Sequence, residues 1–236
     1  MAWTVHRAHS FRSHRAGVAR AVLAGLTCAA WAADKPVWIT ADQPWLDVMH
    51  EGRIVRIQRV QDNLNDIEPD FALTSRPCPP YCIQPMNLAP GVETLGELEL
   101  IEILKRISRR DDSLLVIDSR ERDWLERSGI IPGAVHIPWT RLHVAHADPD
   151  EIAGLMELTF GAARNGPFWN FEHAKTLVFY CNGPWCGQSP TNIKQLLALG
   201  YPPHKLKWYR GGMQAWKSLG LSTAPVAAGG RPPSTR

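Results

Sequence analysis

Between residues 92 and 222, short apolar runs alternate with stretches whose apolar residues recur at helical spacing, and few folds accommodate that order. Leu95, Leu98, Ile101, Leu104 and Ile107 mark one helical stripe, with Thr94 placed to cap it. Residues 114–118 (LLVID) read as a buried parallel strand ending on a carboxylate. A second such strand runs 176–181 (TLVFYC) and a third 206–209 (LKWY). Ser189 and Pro190 open a helix that Gly200 stops, and 213–219 form the last helix. Strands alternating with helices predict one α/β domain on a mostly parallel sheet.

The flanks read differently. Residues 1–32 hold Arg7, Arg12, Arg15 and Arg20 and no acid, and an uncharged run from 21 ends in Ala30, Trp31 and Ala32. A basic start, a short apolar run and a small-x-small ending predict a secretory signal peptide. A mitochondrial-type presequence shares the arginines but not that ending. The run falls short of the roughly 20 apolar residues a stable membrane span needs. Residues 33–91 form an extension, with short strands expected at 36–40 and 53–60, a turn at 50–52 and an irregular, packed segment from 61. Residues 223–236 read as a disordered tail.

Removing the signal changes the charge. The whole chain carries 26 basic and 23 acidic residues, and losing the four arginines leaves 22 against 23. The basic surface that a nucleic-acid partner demands is then absent, so no nucleic acid is expected. Cys28 would leave with the signal, and Cys78, Cys82, Cys181 and Cys186 remain. An even count in a periplasmic or secreted protein permits two disulfides, whose pairing the sequence leaves open.

The chemistry is expected at Cys181. In open α/β sheets, ligands bind outside the carboxyl ends of the strands. Cys181 closes a predicted strand, and Asn182, Gly183, Pro184, Trp185, Cys186, Gly187 and Gln188 follow as a loop entering the helix at Ser189. Loop amides and a helix N-terminus can stabilise a thiolate there, so Cys181 is the candidate nucleophile. Trp185 is a candidate shield for the sulfur.

Five ordered motifs carry a resemblance. LVIDSRE (115–121), GIIPGAVHIP (129–138), VFYC (178–181), Gly200 with Tyr201, and YRGGMQAW (209–216) together resemble a rhodanese homology domain over about 92–222. With RPCPPYCIQPM (76–86) ahead of it, the whole chain resembles exported bacterial rhodanese-like proteins. The resemblance implies a three-layer rhodanese-like fold and a sulfurtransferase that carries a persulfide on Cys181. It implies no cofactor, and as partners a small sulfur donor with a thiol or cyanide-like acceptor. It makes Asp118 and Arg120 a brace of the fold near the active loop, and Gly211, Gly212 and Trp216 the closing turn and helix. The loop departs from the family pattern: Ser189 lies eight residues after Cys181, with a second cysteine between and Gln188 where an arginine is frequent. The resemblance therefore does not fix thiosulfate and cyanide as substrates.

Other readings stay open. Cys181 and Cys186 form a dithiol suited to thiol–disulfide chemistry with a periplasmic redox partner. Cys78 and Cys82, stiffened by two prolines, suit a disulfide clip or half a metal site. All four cysteines could instead gather a soft metal ion in a binding module, although no metal ligand set is assigned. A non-catalytic protein-binding module is a further reading, and a phosphatase is disfavoured by the missing loop arginine. His136 reads as a packed structural residue, His143 and His146 lack a third ligand, and 148–157 reads as the start of a solvated helix.

Overall fold

In the computed structural model, which describes residues 35–226, the chain begins with a hairpin. The expected signal segment, Cys28 and the tail beyond 226 lie outside the described residues. Strand β1 (Trp45–His50) pairs antiparallel with β2 (Arg53–Gln58) across a two-residue turn, Glu51 and Gly52, both at positive φ. The strand expected at 36–40 does not form. In β1, Val48 and His50 face inward while Trp45, Asp47 and Met49 face water, so two large apolar residues on the wet face hid its alternation.

A short helix, α1 (Pro69–Ala72), follows and buries Phe71. Next come β3 (Glu93–Leu95), α2 (Glu97–Ser108), β4 (Leu114–Asp118), α3 (Arg122–Ser128) and β5 (Val135–His136). Helix α4 (Pro149–Gly154) runs into a wider turn, Leu155–Thr159, and β6 (Ala163–Asn165) pairs with β7 (Phe168–Asn170) as a small hairpin. The chain closes with β8 (Thr176–Tyr180), α5 (Gln188–Ala198), β9 (Leu206–Tyr209) and α6 (Gly212–Ser218).

Five strands form one parallel sheet in the order β3-β9-β8-β4-β5, with β8 at its centre. Side chains alternate across it and build two core layers. Val116, Val178, Tyr180 and Tyr209 pack with Leu100, Ile101 and Leu104 of α2, Leu125 of α3 and Trp216 of α6. Ile117, Leu177, Phe179 and Trp208 pack on the other face with Ile152, Met156 and the α5 residues Ile193 and Leu196. The expected three-layer α/β fold is present. The β1–β2 hairpin joins the first layer through Val48 and Ile57. No helix among the described residues is long and apolar enough to cross a membrane.

Three local expectations need correction. The buried stripe of α2 is Leu100, Ile101, Ile103 and Leu104, while Leu98 is exposed, because a strict three-residue step drifts around a 3.6-residue turn. Gly96 is the N-cap of α2, with Glu99 Oε2 accepting its amide at 3.1 Å; Thr94 lies in β3 and donates to the Met86 carbonyl. The 148–157 stretch is not simply solvated, since Ile152, Ala153, Leu155 and Met156 are buried.

Asp118 and Arg120 are both fully buried at the end of β4. Arg120 donates to both Asp118 oxygens, to Ser128 Oγ at 2.8 Å and to the Gly129 carbonyl at 2.6 Å. The pair ties the strand end to the last turn of α3. Removing one partner of such a buried pair typically costs about 3–5 kcal/mol.

Candidate active site

Tyr180 lies opposite Asp118 in the β4–β8 ladder, so Cys181 emerges beside the braced end of β4. Ser119 fastens that edge: its amide donates to the Tyr180 carbonyl at 3.0 Å, and its hydroxyl accepts from Asn192 Nδ2 at 3.0 Å. Burial pushes the Tyr180 phenol well above its usual range, with Asp118 adding to the effect. It stays neutral and accepts the Ile131 amide at 3.1 Å.

Cys181 is 2% exposed and Cys186 5%, and the two are joined as a disulfide with Cα atoms 6.3 Å apart. Ser189 Oγ donates to Cys181 Sγ at 3.1 Å and accepts from Trp208 Nε1 at 3.1 Å. Ser189 is therefore not the N-cap; Gly187 is, and Ser189 sits in the first turn of α5 with its hydroxyl aimed at the sulfur. Inside the loop, the Cys186 amide is spent on the Gly183 carbonyl at 2.9 Å, and Gln188 Oε1 lies 3.6 Å from Cys186 Sγ. The side-chain Oδ1 of Asn182 is buried without a hydrogen-bond partner, as is that of Asn192.

The start of α6 holds the loop from below. The amides of Met213 and Gln214 donate to the carbonyls of Cys181 and Asn182 at 3.0 and 2.8 Å. Gly212 makes this approach possible: it sits at φ +54°, and a Cβ there would stand 2.3 Å from the Cys181 carbonyl oxygen. The glycine pair flagged as a closing turn thus seats the active loop.

From above, the segment 76–84 covers the loop. Cys78 and Cys82 form a disulfide, with Cα atoms 4.6 Å apart. Gln84 donates its amide to the Pro184 carbonyl at 2.8 Å, and Tyr81 stacks edge-on against Trp185. The Arg76 guanidinium lies 4.0 Å from the centre of the Trp185 ring and also faces Tyr81 and Trp124. Trp185 Nε1 donates to Gln214, which reaches on to the Phe71 carbonyl. Ile83 and Met86, the apolar residues closest to the clip, are exposed; Arg76, Tyr81 and Gln84 anchor the segment instead. Trp185 is therefore the anchor point of the cover.

Arg76, Tyr81, Gln84, Trp124, Asn192, Trp208 and Gln214 were not singled out by sequence. Arg76 and Tyr81 lie in the cysteine clip itself, so their spacing was the available signal; the others are joined only by folding. The four cysteines make two local pairs, not one cluster, and no group of three or more His, Cys, Asp or Glu among the described residues could hold a metal ion. His136 bonds through Nε2 to the Arg120 carbonyl, a structural contact. His143 and His146 stack with Trp139 and with each other.

Among solved structures, the chain is similar to the polysulfide-sulfur transferase homodimer of Wolinella succinogenes, at 16% identity and a TM-score of 0.37, over 61% of this chain and 87% of that one. It is also similar to SseA from Escherichia coli, described among 3-mercaptopyruvate sulfotransferases, at 22% identity and a TM-score of 0.34, over 52% and 43%. A protein of unknown function from Rhodopseudomonas palustris gives 24% identity and a TM-score of 0.38, over 56% and 85%. Comparison with curated proteins gave no match. The family model for the rhodanese-like domain matches residues 100–219, just over half of the 236 residues. With the braced β4 edge, the strand-end cysteine and the α6 turn inside or beside that span, the chain belongs to the rhodanese-like domain family.

Proposed function

We propose that the protein is an exported sulfurtransferase in which Cys181, once reduced, carries a sulfane sulfur as a persulfide. The thiolate attacks the outer sulfur of a small donor, the donor's S–S bond breaks, and the leaving group departs with the electron pair. A thiol or other nucleophile then removes the sulfur. The observation that carries this reading is the hydroxyl of Ser189, 3.1 Å from Cys181 Sγ at the end of the central strand. A hydroxyl donor at that position favours the charged sulfur. Export rests on the basic, apolar, Ala-x-Ala order of residues 1–32, and N-terminal sequencing of native protein should find a start near Ala33.

The test is the intact mass of reduced protein after exposure to polysulfide or thiosulfate. A gain of one sulfur atom is expected in Cys186→Ser, where the disulfide cannot re-form, and it should be absent from Cys181→Ser. A gain that persists in Cys181→Ser would end the assignment. A thiol–disulfide redox role is the second reading, favoured by the bond between Cys181 and Cys186. Under it, the reduced protein would return to the disulfide and no variant would ever hold sulfur.

A further inference from the structure

The proposed persulfide and the observed disulfide involve the same sulfur atom. We infer that Cys186 is a resolving thiol, which attacks the inner sulfur of a Cys181 persulfide and expels the outer sulfur as sulfide. This rests on the sulfur-transfer reading above. It adds a second catalytic residue and a different net reaction.

Reach is the first argument. Cys186 Sγ is bonded to Cys181 Sγ, and the Cα separation of 6.3 Å lies within the span that disulfides normally bridge. An attack at the inner sulfur therefore ends in an arrangement the loop already adopts. Position is the second. Cys186 immediately precedes Gly187, the N-cap of the eleven-residue helix α5, where a thiolate is favoured. Ser189 donates to Cys181 Sγ, the atom under attack, and Trp208 holds that hydroxyl in place.

Enclosure is the third. Both cysteines are almost fully buried, and Arg76, Tyr81 and Gln84 pin a separate segment over the loop. An external acceptor has to reach a sulfur that is almost fully buried. Cys186 is already inside, and an intramolecular nucleophile has a large kinetic advantage over a dilute one.

The step balances. The bond between Cys181 Sγ and the outer sulfur breaks, and a bond between the two cysteine sulfurs forms. The outer sulfur leaves with two electrons as hydrosulfide and takes up the proton lost by Cys186. The dithiol is oxidised to the disulfide, and the sulfane sulfur is reduced. Resetting the site takes two electrons from an external dithiol by thiol–disulfide exchange. A dithiol-regenerating reaction must therefore supply this protein, and a sulfide-consuming one must follow it.

The experiment is single-turnover loading of the reduced, reductant-free protein with polysulfide, followed by desalting, intact mass and a free-thiol count. The wild type should end as the disulfide, with no sulfur retained and both thiols gone. Cys186→Ser should accumulate the species one sulfur heavier, with a lifetime at least about tenfold longer than in the wild type. Cys186→Ala should behave the same way, and its circular dichroism guards against misfolding. If the wild type keeps its sulfur as long as Cys186→Ser does, with Cys186 still free, the inference is overturned and the sulfur-transfer reading stands. If neither cysteine variant ever gains sulfur, that reading fails and takes the inference with it.

Discussion

Ser189 donates to Cys181 Sγ while accepting from Trp208, so deleting one oxygen leaves the indole N–H unpaired and the sulfur without its donor. Hydrogen bonds to charged groups contribute about 1.5–3 kcal/mol. In Ser189→Ala the reduced Cys181 thiol should therefore ionise less readily, because the hydroxyl that donates to its charged form is gone. Alkylation of the reduced protein followed against pH measures it. An unmoved profile would show that the hydroxyl does not support the thiolate. Ser189 was expected as a helix cap, and its type and approximate place were readable from sequence. Its partner was not, because Trp208 lies nineteen residues on, in the neighbouring strand.

At the scale of elements, the clip around Cys78 and Cys82 behaves as a cover because its anchors are aromatic and cationic. Arg76 sits on Trp185, and cation–π contacts contribute about 0.5–2 kcal/mol depending on burial. Arg76→Ala should loosen the segment, leave the sheet intact, and raise the alkylation rate of reduced Cys181 several-fold at fixed pH. A rate equal to wild type would mean that the segment does not limit access to the sulfur. Chain pattern could not reveal this role. The segment carries no periodicity, and its contacts run to Trp185, Gly187 and Arg210, about a hundred or more residues away.

For the molecule as a whole, His50 joins the extension to the sheet domain. Its ring is buried at the end of β1, and Nδ1 accepts the Gly133 amide at 3.3 Å. Burial lowers its pKa below the usual value of 6.5. The unfolded chain thus takes up this proton more readily than the folded one. The contribution to stability is complete above pH 6.5 and is lost as pH falls from there toward the lower folded value. Thermal midpoints of wild type should drop more between pH 7 and pH 5 than those of His50→Gln. Equal slopes in the two proteins would assign the acid sensitivity to other groups.

By itself the sequence determined the α/β class, the three main strands, read as 114–118, 176–181 and 206–209 with the second ending one residue sooner at Tyr180, and Cys181 at a strand end. Each of these is written in a local pattern: a dense apolar run, a helical stripe, a glycine after a helix. The β1 strand was illegible because Trp45 and Met49 face water, so its alternation shows only once Val48 and His50 meet the core. The pairing of the cysteines, left open by counting, was decided by which sulfurs the loop and the clip bring within reach. Tertiary structure alone decided what surrounds the sulfur: the Ser189 hydroxyl held by Trp208, the α6 amides admitted by Gly212, and the Arg76 cover. Those contacts join residues far apart in the chain, and no local pattern encodes a meeting that depends on the sheet order placing β8 between β4 and β9.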